Sequence, residues 1–330
     1  MRWTRRSTQA PSSTGEGEVA VPREPTHPLV DIVDDVPELG ADERPVLIHA
    51  LDGFLSAGGA GRLAARHLAG KDGKDGKVVA SFDLDQMYDY RARRPTMVYD
   101  RDHYSSYDAP RLVVRLLRDS EDRPYLLLSG PEPDFAWEGF AAAVRTVVER
   151  FRVKLVVGLA SVPMGVPHTR PVIITTHGTR NELVDRPNMW QGQLMVPASA
   201  QSLLELRLGQ WGHDAMGYVA HVPHYLTQVD YPAAAVALLE AVQERDDLGL
   251  ELDIEPLRVA AAAALTEIDE QVAEQDGGSL LTGLEEQYDS FSRGAAESLL
   301  AAEGPLPTAD ELGEQVEEFL AGLDGGDERS

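Results

Sequence analysis

From about residue 45 to residue 247 the chain alternates short apolar runs with stretches of helical spacing, and this alternation constrains the fold more than any other feature. Val46–Leu51, Val78–Leu84, Tyr125–Ser129, Val153–Ala160, Val172–Thr176 and Tyr218–His221 have strand length, and several are apolar on both faces. A strand with no polar face must be covered on both sides. Helical spacing fills the intervals. It enters after Ser56–Gly61 with Leu63, Ala64 and Leu68, runs from Trp137 to Phe151, and recurs over Ala198–Leu208 and Ala233–Val242. Met97–Asp100 and Leu112–Leu116 are further strand candidates. The pattern predicts an α/β domain over residues 45–247: a mixed, mostly parallel sheet covered by helices.

The flanks read differently. Residues 1–44 mix Pro, Ser, Thr, Gly and charges without periodicity and are expected to be mostly disordered, with Leu29–Val33 adding an extended edge segment. Residues 248–330 carry three apolar rows at helical spacing. Ile254, Leu257, Ala261, Ala264, Ile268 and Val272 form the first; Leu281, Leu284, Tyr288, Phe291 and Ala295 the second; Leu312, Val316, Phe319 and Leu323 the third, opened by a Thr308–Glu311 capping box. Asp276-Gly277-Gly278 and Gly304-Pro305 separate them. A C-terminal helical appendage is therefore expected, its apolar stripes buried either within the chain or against another one.

Charge separates the same regions. The formal net charge is −25, and residues 240–330 hold 25 acidic and four basic side chains against 30 and 26 in the first 239. Nucleic acid is excluded as an expected partner, because backbone binding needs clustered cations. The acidic helices are either a solvated face that keeps the protein soluble or a surface for a basic protein partner. No apolar run is long enough to span a membrane, and Arg5-Arg6 is followed by polar residues instead of an apolar leader core. Cysteine is absent, which removes disulfides, thiolate chemistry and Cys-based zinc sites. A cytoplasmic protein is the expectation.

Candidate site residues gather at strand ends, where α/β folds build sites. Asp52, Gly53, Ser56 and Gly58 follow the first strand and open a helix whose amide groups can hold a phosphate or carboxylate. The spacing is neither G-x-G-x-x-G nor a Walker loop, so the glycines can equally serve close helix–sheet packing. His168, Arg170, His177 and Arg180 lie within thirteen positions and offer two imidazoles and two guanidinium forks for an anion. The structural alternative pairs Arg170 with Glu132 or Asp134. Those carboxylates, with Asp83 and Asp85, can otherwise serve as acid and base. His213, His221 and His224 lack metal-site spacing, Gly-x-Ser-x-Gly is absent, and no metal, cofactor or catalytic residue is assigned.

Several of these segments together resemble the proteasome assembly chaperone 2 family, in its bacterial branch. They are Val46–Gly53 with Ser56-Ala57-Gly58; Tyr125–Gly130 before the Trp137 helix; and Gly158, Pro163 and Pro167-His168-Thr169-Arg170-Pro171. Leu204–Leu208 with Gly212-His213-Asp214-Ala215, and His221-Val222-Pro223-His224-Tyr225, complete the set. The resemblance covers Pro45 to about Gln243. It implies a phosphorylase/hydrolase-like α/β fold and assembly into small oligomers. Eukaryotic and archaeal relatives assemble or bind proteasomes, some through a C-terminal tail with a penultimate-region tyrosine. This sequence ends Asp327-Glu328-Arg329-Ser330 and lacks that feature.

Two functions follow as expectations. One is a non-enzymatic, homo-oligomeric binding or assembly-chaperone-like protein whose acidic helices meet a partner, with proteasome subunits or accessory factors as candidates. The other is a phosphorylase- or hydrolase-like enzyme acting on a small anionic or nucleoside-like ligand. Its ligand residues would be Asp52, Gly53, Ser56, Gly58, Glu132, His168, Arg170, His177 and Arg180.

Overall fold

The computed structural model describes residues 27–34, 36, 39–40, 42–70, 76–186, 192–274 and 278–302. In chain order the strands are β1 (Val30–Ile32), β2 (Val46–Asp52), β3 (Lys77–Phe82), β4 (Met97–Asp100), β5 (His103–Tyr107), β6 (Val113–Arg118), β7 (Pro124–Pro131), β8 (Leu155–Met164), β9 (Ile174–Gly178) and β10 (Ala215–Pro223). The helices are α1 (Ala60–Leu68), α2 (Trp137–Arg150), α3 (Ala200–Gln210), α4 (Pro232–Gln243), α5 (Glu255–Glu274) and α6 (Gly278–Ala302).

Eight strands form one mixed sheet in the order β1-β3-β6-β7-β2-β8-β10-β9. The central four, β7, β2, β8 and β10, run parallel, and the outer strands are antiparallel to their neighbours. Strand periodicity divides β2 between two cores. Val46, Ile48 and Ala50 face α1 and α4, while Leu47 and Leu51 face α2 and α3. Leu47 and Ile48 have no exposed surface, and burying each side chain contributes about 1.5–3 kcal/mol. This is why the central runs lack a polar side.

Three boundaries differ from expectation. β8 and β10 extend through Pro163 and Pro223, because their pairing runs unbroken from Val156–Ala215 to Met164–Pro223. β9 begins at Ile174 and continues through His177, still paired with β10 at Gly178–Met216. Met97–Asp100 is a strand, but it pairs only with β5 in a separate two-stranded hairpin whose residues are all exposed.

Within the N-terminal segment, Leu29–Val30 are buried and β1 pairs antiparallel with β3, an edge strand where Leu29–Val33 was expected; residues 1–26 lie outside the described ones. On the C-terminal side Leu248, Leu250, Leu252 and Ile254 enter the α1/α4 core. The first apolar row faces inward along α5: Ile254, Leu257, Ala261 and Ile268 are buried, Ala264 and Val272 half-buried. Arg258 donates to Glu240 on α4 at 2.9 and 3.0 Å. α6 buries Leu284 and half-buries Leu281 and Tyr288; the side chains of Phe291 and Ala295 lie outside the described ones. The third row, Leu312 to Leu323, and the Thr308 capping box also lie outside the described residues.

Candidate functional site

The carboxyl ends of β2, β7, β8 and β10 carry most of the candidate residues. Asp52, Gly53, Ser56, Gly58 and Glu132 come together there. Glu132 is only 9% exposed. Its Oε2 accepts the Phe54 N–H at 2.7 Å, and its Oε1 accepts the N–H of Ala200, the first residue of α3, at 2.7 Å. Gly53 permits this approach, since a Cβ there would lie 2.0 Å from Glu132 Oε2. The Gly53 N–H donates to Ser56 Oγ at 3.0 Å, and the Ser56 hydroxyl donates to the Leu51 carbonyl at 3.3 Å. Gly58, at φ +61°, donates to the Thr227 carbonyl at 2.9 Å.

The loop's amide donors are thus met by acceptors of the protein itself. The carboxylate of Glu132 holds the Phe54 amide of this loop with one oxygen and sits at the start of α3, not of α1, with the other. The carboxylate ties the positive end of α3 to the loop after β2. Ser56 Oγ bonds main chain, not an imidazole. The glycines also serve packing: a Cβ on Gly61, at the start of α1, would lie 3.0 Å from the Leu159 carbonyl of β8. Asp52 is exposed and stands 3.9 Å from Arg62 Nε.

His168 and Arg170 occupy the loop after β8 and meet the C-terminal helices. The His168 ring, buried at 4% exposure, contacts Tyr225 Oη at 2.7 Å through Nδ1 and Asp269 of α5 at 2.9 Å through Nε2. Arg170 grips Asp289 of α6 with both arms of its fork, at 2.8 and 2.9 Å, and reaches Glu285 at 3.1 Å. Thr169 also donates to Glu285, and the Tyr288 hydroxyl donates to the Pro171 carbonyl at 3.0 Å. The hydrogen bond to Asp289 raises the Arg170 pKa above its ordinary value and, reciprocally, lowers that of Asp289.

Arg170 does not make the carboxylate pairs expected of it. Its carboxylate partners are Asp289 and Glu285, not Glu132 or Asp134; Glu132 is held by amides, and Asp134 accepts from Arg93 at 2.5 Å. Loop 168–172, α4 and α5 border a cleft of about 680 Å3.

His177 and Arg180 belong to a different place. β9 runs antiparallel to β10, so it carries them away from the carboxyl ends. Arg180 forks onto Asp214, just before β10, at 2.8 Å through both nitrogens. His177 contacts Glu205 of α3 at 2.9 Å. Burial opposes its charge, but the hydrogen bond and charge of Glu205 prevail and raise its pKa.

Sequence reasoning missed the partner of this group, His49. The sheet register aligns His49, Gly158, Gly217 and His177 across four neighbouring strands. A Cβ on Gly158 would lie 2.9 Å from the His49 ring, and one on Gly217 2.4 Å from the His177 ring. Each imidazole therefore lies over a glycine. Burial, with the charge of His177 adding to it, pushes His49 down to about 4, and its Nδ1 has no hydrogen-bond partner among the described residues. The available signal was a glycine inside each of two apolar strands, which marks close approach of another group.

The fold and this site together define a class: a large mixed-sheet α/β protein whose strand-end loops are tied down by its own glutamate and its own acidic helices. The chain belongs to the PAC2 family, whose model matches residues 50–272 and so extends through most of α5. Among solved structures it resembles a Mycobacterium tuberculosis protein of unknown function at 46% identity and TM-score 0.76, covering 82% of this chain and 94% of that one. A Corynebacterium glutamicum protein of unknown function matches at 36% identity and TM-score 0.73, over 79% and 97%. A Mycobacterium tuberculosis proteasome-assembly chaperone homologue matches at 26% identity and TM-score 0.63, over 69% and 96%. None of the curated proteins compared with the chain matches it. No helix among the described residues is long and apolar enough to cross a membrane.

Proposed function

We propose that this protein is a non-enzymatic, assembly-chaperone-like binding protein of the cytoplasm. Its α/β body acts as a scaffold, and its acidic C-terminal helices meet a basic face on a protein partner, with proteasome subunits or their accessory factors as the partners to test. One observation carries the reading: the residues expected to hold a small anion at loop 168–170 instead hold the helices. Arg170, Thr169 and His168 fasten α5 and α6 by their carboxylates. Glu267, Glu270, Glu274 and Glu286 remain exposed on those helices with no ion-pair partner among the described residues. Charge of one sign on a fixed surface favours encounter with an oppositely charged partner. The likeness to a proteasome-assembly chaperone homologue supports the choice of partner.

Self-association belongs to the same proposal. The β4–β5 hairpin presents Met97, Val98, Tyr99, Tyr104 and Tyr107 at 48–67% exposure, an apolar arm suited to burial against a second copy.

The test uses purified proteasome α and β subunits mixed with the full chain and followed by native electrophoresis and light scattering. The reading expects a complex that weakens when Glu267, Glu270 and Glu274 become glutamine, and an oligomer that dissociates on Tyr99→Ser with Tyr104→Ser. No complex with any proteasome subunit at low salt would remove the proteasome assignment. A complex indifferent to the glutamate changes would remove the acidic helices from the interface.

A further inference from the structure

On the opposite side of the Asp52 loop from Glu132, the sheet carries an open cleft of about 660 Å3 between α1, β6 and the ends of β2 and β7. Arg62 and Arg66 line it from α1, Arg111 from just before β6 and Arg115 from within β6. Arg62 is committed to Asp230 and lies near Asp52. Arg66, Arg111 and Arg115 have no hydrogen-bond or ion-pair partner among the described residues. Three unpartnered guanidinium groups in one concavity stand out in a chain of net charge −25. Burial, and then the charge of Arg111, push the Arg115 pKa below its ordinary value. Arg115 thus sits at a cost that a bound anion would relieve.

The remaining lining narrows the class of anion. Ala65, Ala69 and Pro110 give the walls an apolar part, and Tyr107 is among the lining residues. Asp52 and Asp108 also face the cleft. Carboxylates accept from hydroxyl groups but repel a second negative charge. A ligand with one concentrated anionic head and a hydroxyl-bearing body fits this mixture. An extended polyanion such as an acidic peptide does not. Arginine forks match phosphate oxygens in pairs, and the volume lies in the range of small-molecule sites. Of the residues singled out from sequence, only Asp52 lies here.

We infer that this cleft binds a phosphorylated small molecule, with Arg66, Arg111 and Arg115 holding the phosphate. The site is distinct from loop 168–170 and does not depend on the chaperone reading.

Isothermal titration of the full chain tests it with inorganic phosphate, ribose 5-phosphate, and adenosine and guanosine mono- and diphosphates. Ribose and adenosine serve as unphosphorylated counterparts. Saturable binding by at least one phosphate compound is expected, with none by its unphosphorylated counterpart. An ester that outcompetes inorganic phosphate identifies an organic ligand; equal binding identifies the ion itself. Arg111→Ala and Arg115→Gln are each expected to weaken binding by about tenfold or more, Arg115→Lys by less, and Arg94→Ala, on an exposed loop elsewhere, not at all. Circular dichroism confirms that each variant folds, and Arg111 is exposed enough to be replaced without disturbing the core. Absence of binding at millimolar concentration by every phosphate compound overturns the inference. So does binding that survives Arg111→Ala and Arg115→Lys unchanged, or a polyglutamate peptide that binds the cleft when phosphates do not.

Discussion

The α/β body and helix α6 are held by different forces. Across the central strands, residues such as Leu47, Ile48, Leu127 and Val157 are fully buried, and apolar burial dominates. Among its described side chains α6 buries only Leu284, at 8% exposure, and half-buries Leu281 and Tyr288; polar contacts fasten it to the body, Glu285 and Asp289 to Thr169 and Arg170, and Tyr288 to Pro171. Partly exposed ion pairs contribute little stability and are screened by salt. One chain thus combines a rigid scaffold with a helix that is fastened but detachable. That difference is what a surface presented to a partner requires, because low-stability elements are the ones that move on binding.

Ile48→Ala breaks the comparison on the side of the body and should have the largest effect. Emptying a fully buried site at the centre of the sheet is expected to cost about 2–5 kcal/mol, seen as a lower midpoint in urea unfolding. Because the change lies in the core facing α1 and α4, α6 should stay fastened until the whole fold is lost.

Acid acts next, again on the body. His49 and His221 are buried, and burial is the main cause in each case that brings them from 6.5 down to about 4. In the unfolded chain they take up protons first. Their contribution is therefore fully present above about pH 6.5 and is lost as pH falls through about 4, about 3 kcal/mol each at most. His177 runs the other way. Its raised pKa gives stability that is present below the unfolded value and lost as pH rises through the folded one. Urea midpoints measured from pH 7 to pH 4 should fall steeply, and His49→Gln with His221→Gln should flatten that slope.

Salt has the smallest effect and should separate the two regions most cleanly. Raising ionic strength from about 0.05 to about 0.5 M shortens the screening length severalfold. Limited proteolysis should then cut within α6 sooner, while the body's urea midpoint changes little.

Legibility in the sequence follows the same division. Strand runs and helical rows are local patterns, so the central sheet, the inward row of α5 and the edge strand near Leu29 could be read residue by residue. The ends of β8 and β10 could not, because cross-strand pairing carries them through prolines that locally signal a stop. The Gly-rich loop was legible as either an anion site or a close-packing device, but not that Glu132, 78 positions away from Phe54, would place its own carboxylate on that loop. Arg170 was recognisable as a fork in search of carboxylates. Its partners lie 115 and 119 positions on, whereas the pairing expected from sequence was with Glu132 or Asp134 in the loop after the Tyr125–Ser129 strand. The arginine cleft was invisible for a related reason: Arg66, Arg111 and Arg115 meet only because β6, β7 and β2 are adjacent in the sheet.

Hydrogen exchange on the full chain, wild type against Arg170→Ala, tests the central claim most directly. The account predicts faster exchange of α6 amides from residue 278 to 293 and of loop 165–172, with β2, β8 and β10 as protected as before. Unchanged exchange in α6, or a rise spread equally through the central strands, would contradict it.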